Sequence, residues 1–325
     1  MIRTINNEVE LASMLSINLH QLDELLINPT YAPFFIPKKK GGTRKIVSPN
    51  QQLKFVQQKL LQFFQLFYEA NCSIHVHGFS KSTSNQNTHS PIVCNAIPHI
   101  NKKNILSLDL KDFFESITAK QIFELFRSEI FEFSDRISYI LTRLTTFNGT
   151  LPTGAPTSPI LSNFVFLQKD IVISNYVKSL NVGYTRYADD LTFSSNNLPL
   201  NELIAPIQEI IAPFLIQPKK TRILHQNRKQ KVTGIIVNKK INVDRQFLKK
   251  TRAMLHDYSR NGLEQASKNH FKQTGKESNF LNKLRGNISF IGQVRGKEDY
   301  IYLKYQKEFE QKTLLQKLEN KTHQN

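Results

Sequence analysis

Three aspartates stand where carboxylates could do chemistry. Asp109 ends the apolar run Ile105-Leu106-Ser107-Leu108, and Asp189-Asp190 lie between two aromatic and β-branched stretches, Tyr184-Thr185-Arg186-Tyr187-Ala188 and Leu191-Thr192-Phe193. An isolated Asp-Asp pair is commonly an exposed loop tip, and that alternative stays open from the pair alone. The flanks instead read as a central strand pair, and the third acid ends another such strand. Carboxylates converging at strand ends repel one another unless cations neutralise them. Two Mg²⁺ ions would do so, one activating an attacking 3′ or 2′ hydroxyl and the other stabilising a departing pyrophosphate. Nucleotidyl transfer is the chemistry this arrangement suits.

The charge balance points to a phosphate-rich substrate. Of 325 residues, 44 are Lys or Arg and 26 are Asp or Glu, a formal charge of +18. Glu69 is the only acid between Leu25 and Leu108, and none occurs from Ala212 to Val243. Stretches of this kind favour a polyanionic partner over a merely solvated basic surface, with affinity that falls steeply with salt. A hydrophobic content of 39%, with 23 Phe and 10 Tyr, excludes global disorder. No apolar run reaches a membrane-spanning length; the longest, Ile210–Ile216, is interrupted by Pro213. The first residues lack the apolar core of a signal peptide, and Cys72 and Cys94 can neither staple the fold nor form a zinc site alone. A reduced, cytoplasmic protein without membrane association is expected.

The elements that must position the acids follow from periodicity. Residues 7–27 read as one or two amphipathic helices, 31–37 and 44–47 as a hairpin with a Gly41-Gly42 tip, and 51–69 as a helix with Leu53, Val56, Leu60, Phe64 and Phe67 on one face. Residues 80–90 read as a loop. A strand over 105–110 precedes helices at 118–128 and 135–147, a Gly/Pro/Thr loop, and a long apolar helix at 159–180. Strands are expected at 182–187, 191–194, 214–225 and 231–243, with a helix near 199–211; beyond Asp244 the pattern is helical and basic. The fold class is α+β with an appended helical module.

Several stretches together carry a resemblance. Tyr187-Ala188-Asp189-Asp190 resembles the catalytic box of reverse transcriptases, and Leu108-Asp109-Leu110-Lys111-Asp112-Phe113-Phe114 their first palm motif. Leu151-Pro152-Thr153-Gly154-Ala155-Pro156 is similar to the loop before the long palm helix, and Ile36 to Ile46 to the fingers hairpin. Asn95-Ala96-Ile97-Pro98-His99 and Val232-Thr233-Gly234 resemble signatures of bacterial retron reverse transcriptases. The resemblance implies a right-hand polymerase architecture. Fingers with N-terminal helices would span 1–103, the palm and its antiparallel sheet 104–243 with fingers helices inserted around 118–147, and a helical thumb 244–325.

It also implies roles. Asp109, Asp189 and Asp190 would be catalytic and would bind two Mg²⁺ with help from the Leu110 carbonyl. Lys38, Lys39, Arg44 and Lys220 would meet the dNTP, and Phe114 would exclude a ribose 2′-OH. Thr153 stands where many relatives carry Gln, and the shorter Thr cannot make the same reach to the primer–nucleotide pair. Asn95, His99, Lys249, Lys250, Arg252 and Arg285 are candidate RNA contacts, although Asn95 and His99 read equally well as core residues. The implied activity is RNA-directed DNA polymerisation on one dedicated structured non-coding RNA. Priming from an internal 2′-OH would leave a branched RNA–DNA hybrid, in an anti-phage retron with an effector protein encoded nearby. The alternatives are a group II intron-like or abortive-infection reverse transcriptase, or a non-catalytic RNA scaffold restraining an effector.

Overall fold

Two capped helices open the chain. Asn7 and Asn18 accept from the Glu10 and Gln21 amides at the starts of Glu8–Leu15 (α1) and Leu19–Ile27 (α2), satisfying donors that a helix leaves unpaired. There follow strands Tyr31–Pro37 (β1) and Thr43–Pro49 (β2), helices Gln51–Asn71 (α3) and Pro91–Ala96 (α4), and strand Asn104–Asp109 (β3). Helices Ala119–Arg127 (α5), Asp135–Thr145 (α6) and Ser158–Ser179 (α7) lead to strands Gly183–Tyr187 (β4) and Asp190–Ser195 (β5) and helix Ile204–Ile211 (α8). Strands Arg222–His225 (β6), Lys231–Val232 (β7) and Ile235–Ile236 (β8) precede helices Arg245–Phe271 (α9), Glu277–Arg295 (α10) and Tyr300–Thr322 (α11). The computed structural model describes residues 5–38, 41–79, 90–271 and 277–322; Lys39 and all of the expected 80–90 loop except Ser90 lie outside them. The chain divides into two compact units, residues 1–83 with 104–223, and residues 84–103 with 224–325.

The first unit holds the acids. Its sheet runs β4-β5-β3-β6, with β5 antiparallel to both β3 and β4. Ile105, Leu106, Leu108, Leu191 and Phe193 are wholly buried, so the register is fixed by apolar faces that a one-residue slip would expose. That register sets Asp109 opposite Asp190. Helix α7, apolar around most of its circumference, packs on α3, α5, α8 and β4. Aromatic rings fill the space between helices: Phe64 lies 5.4 Å from Phe126, and Phe131 lies 5.0 Å from Phe164. Truncating any of these to alanine should cost about 3–5 kcal/mol. The β1–β2 hairpin is exposed along nearly all of β1, and Val47 donates its amide to the Thr153 carbonyl at 2.8 Å.

Two expected strands are shorter than their sequence pattern. Of the 214–225 strand only an antiparallel bridge between Ile216 and Leu110 and the strand β6 form, because Pro218-Lys219-Lys220 between them make a 3₁₀ turn and proline has no amide for a ladder. The 231–243 strand is reduced to the two-residue strands β7 and β8. Thr233 and Gly234, expected to open a strand, are instead its turn, with φ of 47° and 89° as a tight hairpin requires.

In the second unit, α9, α10 and α11 pack pairwise around Tyr258, which is wholly buried with Phe280 and Phe309 about it at 6.1 and 6.2 Å. Arg295 pairs with Asp299 and donates to Asn242 at 2.6 Å, joining α10 to the segment before α9. Among the described residues no helix is long and apolar enough to cross a membrane.

Candidate active site

The acids are gathered by backbone pairing. Asp109 ends β3, Asp190 begins β5, and the turn between β4 and β5 is Ala188-Asp189, with Ala188 in the left-handed region at φ 59°. The Leu110 amide donates to the Asp189 carbonyl at 2.9 Å, and the Gln217 amide to the Asp109 carbonyl at 2.7 Å. Three chain segments are thus tied around one point. Asp109 is 9% exposed. Its two carboxylate oxygens receive the Lys220 ammonium at 2.6 and 2.8 Å.

One lysine does not neutralise three carboxylates. Burial and the Asp109 charge push the Asp189 carboxyl up from its ordinary value, against the opposing pull of Lys220 and Arg44. Asp190 keeps an exposed edge, yet burial of its inner side and the charges of Asp189 and Asp109 push it up to about 6. Hard oxygen donors with repulsion to relieve fit a divalent cation by their chemistry. Among the described residues no three Asp, Glu, His or Cys side chains are already drawn into a ligand group, and Lys220 holds both oxygens of Asp109.

Around the acids, the two neighbouring phenylalanines take different places. Phe113 is buried against Phe166 and Phe214 at 5.7 and 5.8 Å, whereas Phe114 is half-buried, its ring 6.1 Å from Phe79. Of the pair, Phe114 is the ring with an open face. The Thr153 hydroxyl donates to the Glu115 carboxylate beside it. Lys38 and Arg44 are exposed on the hairpin, and the Arg44 charge bears on Asp189.

The candidate RNA contacts fall into two groups. Lys249, Lys250, Arg252 and Arg285 are exposed on α9 and α10, the Arg285 guanidinium 5.8 Å from the Phe309 ring centroid. Asn95 and His99 are wholly buried in the second unit, so their side chains present no face to a solvent-borne RNA, and the core alternative is where the fold puts them. Sequence reading missed a further group behind the turn. Arg186, wholly buried in β4, forms an ion pair with Asp170 of α7 at 2.6 Å. The available signal was a charge at an inward position of each apolar element.

The family described as "Reverse transcriptase (RNA-dependent DNA polymerase)" matches residues 36–237. The chain is 30% identical over 316 residues to the retron Ec86 reverse transcriptase of Escherichia coli, covering 95% of this chain and 91% of that one. It is also 30% identical to the retron Mx65 and Mx162 reverse transcriptases of Myxococcus xanthus, covering 74% and 80% of this chain but only 58% and 57% of theirs. Among solved structures, telomerase from Candida albicans in complex with a fragment of telomeric RNA is similar in fold. That match has a TM-score of 0.50 at 10% identity and covers 87% of this chain and 63% of that one. The α+β polymerase fold inferred from the motifs is the fold observed. With the family matched over most of the chain and an E. coli relative aligned almost end to end, the chain belongs to the reverse transcriptases and, among them, to those of retrons.

Proposed function

We propose that this protein copies part of one structured non-coding RNA into single-stranded DNA, primed from an internal 2′-OH of that RNA so that a branched RNA–DNA product results. The observation that carries the polymerising step of this reading is the convergence of Asp109, Asp189 and Asp190, two of them with raised proton affinity, at the ends of paired strands. Asp109, Asp189, Asp190 and the Leu110 carbonyl would hold two Mg²⁺. When bound, these ions supply activation of the attacking hydroxyl and charge stabilisation at the departing pyrophosphate.

The chain's own residues do the rest. Lys38 and Arg44 hold the dNTP triphosphate, the guanidinium pairing with two phosphate oxygens. Phe114 excludes the 2′-OH of a ribonucleotide by shape. Lys220 releases Asp109 and presents its ammonium to the pyrophosphate, donating a proton as that group leaves. Lys249, Lys250, Arg252 and Arg285 grip phosphates of the RNA or of the RNA–DNA duplex, whose A-form groove is read by shape and backbone. The setting is the cytoplasm, with anti-phage defence as the biological role and an effector encoded nearby as protein partner.

Sequencing the nucleic acid that co-purifies with the wild type and with an Asp189→Asn, Asp190→Asn variant tests this. One abundant RNA in both, joined to a discrete short DNA only in the wild type, is the expected result. The same RNA with no DNA in either preparation would make the protein a scaffold. A diffuse RNA population would leave a general reverse transcriptase and remove the dedicated template.

A further inference from the structure

Behind the catalytic turn lies a connected set of hydrogen bonds. The Arg186 guanidinium binds Asp170 through Nε at 2.8 Å and Nη2 at 2.6 Å. Its remaining arm, Nη1, donates to the Ala188 carbonyl and to the Asn163 side-chain oxygen, both at 3.0 Å. Asn163, wholly enclosed on α7, donates its amide in turn to the Gly78 carbonyl at 2.9 Å. Gly78 lies directly on the turn: a Cβ there would come within 2.3 Å of the Ala188 nitrogen. The segment leading to it is laced to Arg186, whose amide donates to the His75 carbonyl at 2.8 Å and whose carbonyl accepts from the His77 amide at 2.9 Å.

We propose that Arg186 and Asn163 are positioning residues for DNA synthesis: together with Gly78 they fix the Ala188 carbonyl and so set the direction in which Asp189 leaves the turn. The geometry argues for this over a purely structural role. An ion pair alone needs Nε and Nη2, and both are already used on Asp170. The third arm is shared between Asn163 and the carbonyl immediately before the first turn acid. Ala188 holds the left-handed conformation that the two-residue turn between β4 and β5 requires, one that costs a residue other than glycine some strain. The Leu110 amide restrains the turn from the opposite flank, through the Asp189 carbonyl. Arg186 acts by place rather than by field, since the charges that bear most on Asp189 are Asp109, Lys220 and Arg44. The proposal rests on the polymerase reading above.

Asn163→Ala is the informative variant, because it leaves the Arg186–Asp170 pair intact. Gly78→Ala displaces the turn without touching any charge. Two readouts separate positioning from support: kcat and KM for dNTPs on the RNA that co-purifies with the protein, and hydrogen–deuterium exchange of peptides covering 106–112 and 184–193. In Asn163→Ala, kcat should fall on the order of 10- to 100-fold with KM within about threefold, the scale of a misplaced catalytic group. Exchange should accelerate about tenfold at the turn and at Leu110, and stay unchanged in the remainder of the first unit. Gly78→Ala should repeat the pattern; if it fails to fold, Asn163→Ala decides alone. Unchanged kcat in Asn163→Ala would overturn the proposal, as would exchange rising evenly across α3, α7 and the sheet. Absence of polymerisation by the wild type would count against the functional reading, and the exchange pattern would still decide whether the turn is held this way.

Discussion

Asp170 and Asp109 both meet a cation, and the difference between their surroundings explains how the site is built. Asp170 is wholly buried, and its oxygens receive the Arg186 fork and the Tyr184 hydroxyl at 2.7 Å. Burial and the Asp170 charge push the Tyr184 hydroxyl well above its ordinary pKa, so it remains a donor. One negative charge thus faces one positive charge with the lone pairs occupied. Asp109, Asp189 and Asp190 share Lys220, which is half in solvent, and two of the three have raised proton affinity. The first group is satisfied as folded, while the second has an unmet demand for positive charge. A reaction centre requires that imbalance, and a rigid, satisfied neighbour keeps the carboxylates from relaxing out of it.

The largest effect should come from neutralising an open-cluster acid. Asp189→Asn is expected to reduce primer extension by about 10³-fold or more, the scale for removing one member of a charged catalytic group. Because it also removes repulsion, it should leave the thermal midpoint of the metal-free protein unchanged or higher. A variant that lost activity because it melted earlier would show that the acids support the fold.

The buried group should respond the other way. Asp170→Asn leaves the Arg186 charge unpaired in the interior and is expected to cost about 3–5 kcal/mol in urea unfolding. Replacing the whole group with apolar residues of similar size (Asp170→Leu, Tyr184→Phe and Arg186→Met together) should recover much of that stability, since no buried charge remains. If the triple variant is stable yet slow, the pair serves the turn; if it is stable and fully active, the pair serves packing alone.

The contrast also marks what the sequence could disclose. Asp109, Asp189 and Asp190 were legible because they interrupt or end apolar runs, and strand pairing then needs only register to bring them together. The hairpin, the long helix α7 and the C-terminal helices followed from periodicity in the same way. Asp170 and Arg186 carried an equivalent signal, the single acid in a mostly apolar helix and the single charge in a strand of aromatic and β-branched residues. Their partnership was hidden because it joins two elements through the core, and neither element's own pattern encodes that contact. Pro218 shows the converse failure. The apolar and β-branched residues around it read as one strand, but its missing amide breaks the ladder and makes the 3₁₀ turn that carries Lys220 to Asp109. Asn95 and His99 were ambiguous for a third reason, since polar residues at a core position and at an interface look the same until burial is known.

The smallest predicted effect is a pH dependence that belongs to the open cluster alone. In the metal-free protein Asp190 titrates near 6, above the 3.8 of an unperturbed aspartate. The folded state therefore binds this proton more tightly than the unfolded state does. Above about pH 6 both states are ionised and the full penalty of burial and repulsion is present; as pH falls through 6 toward 4 the folded state is protonated first and the penalty is relieved. Asp190→Asn removes the part of the penalty that comes from ionising Asp190, at every pH. Its thermal midpoint should exceed that of the wild type at about pH 7.5, and the gap should close by about pH 4.5. Millimolar Mg²⁺ should narrow the same gap at pH 7.5 by stabilising the wild type, with three carboxylates, more than the variant, with two, because a bound cation relieves the repulsion that protonation relieves in its absence. Melting curves of the two proteins across this range, with and without Mg²⁺, measure it. A gap that widens toward low pH, or one indifferent to the metal, would mean that the acids are not coupled, and the comparison with the buried pair would lose its open half.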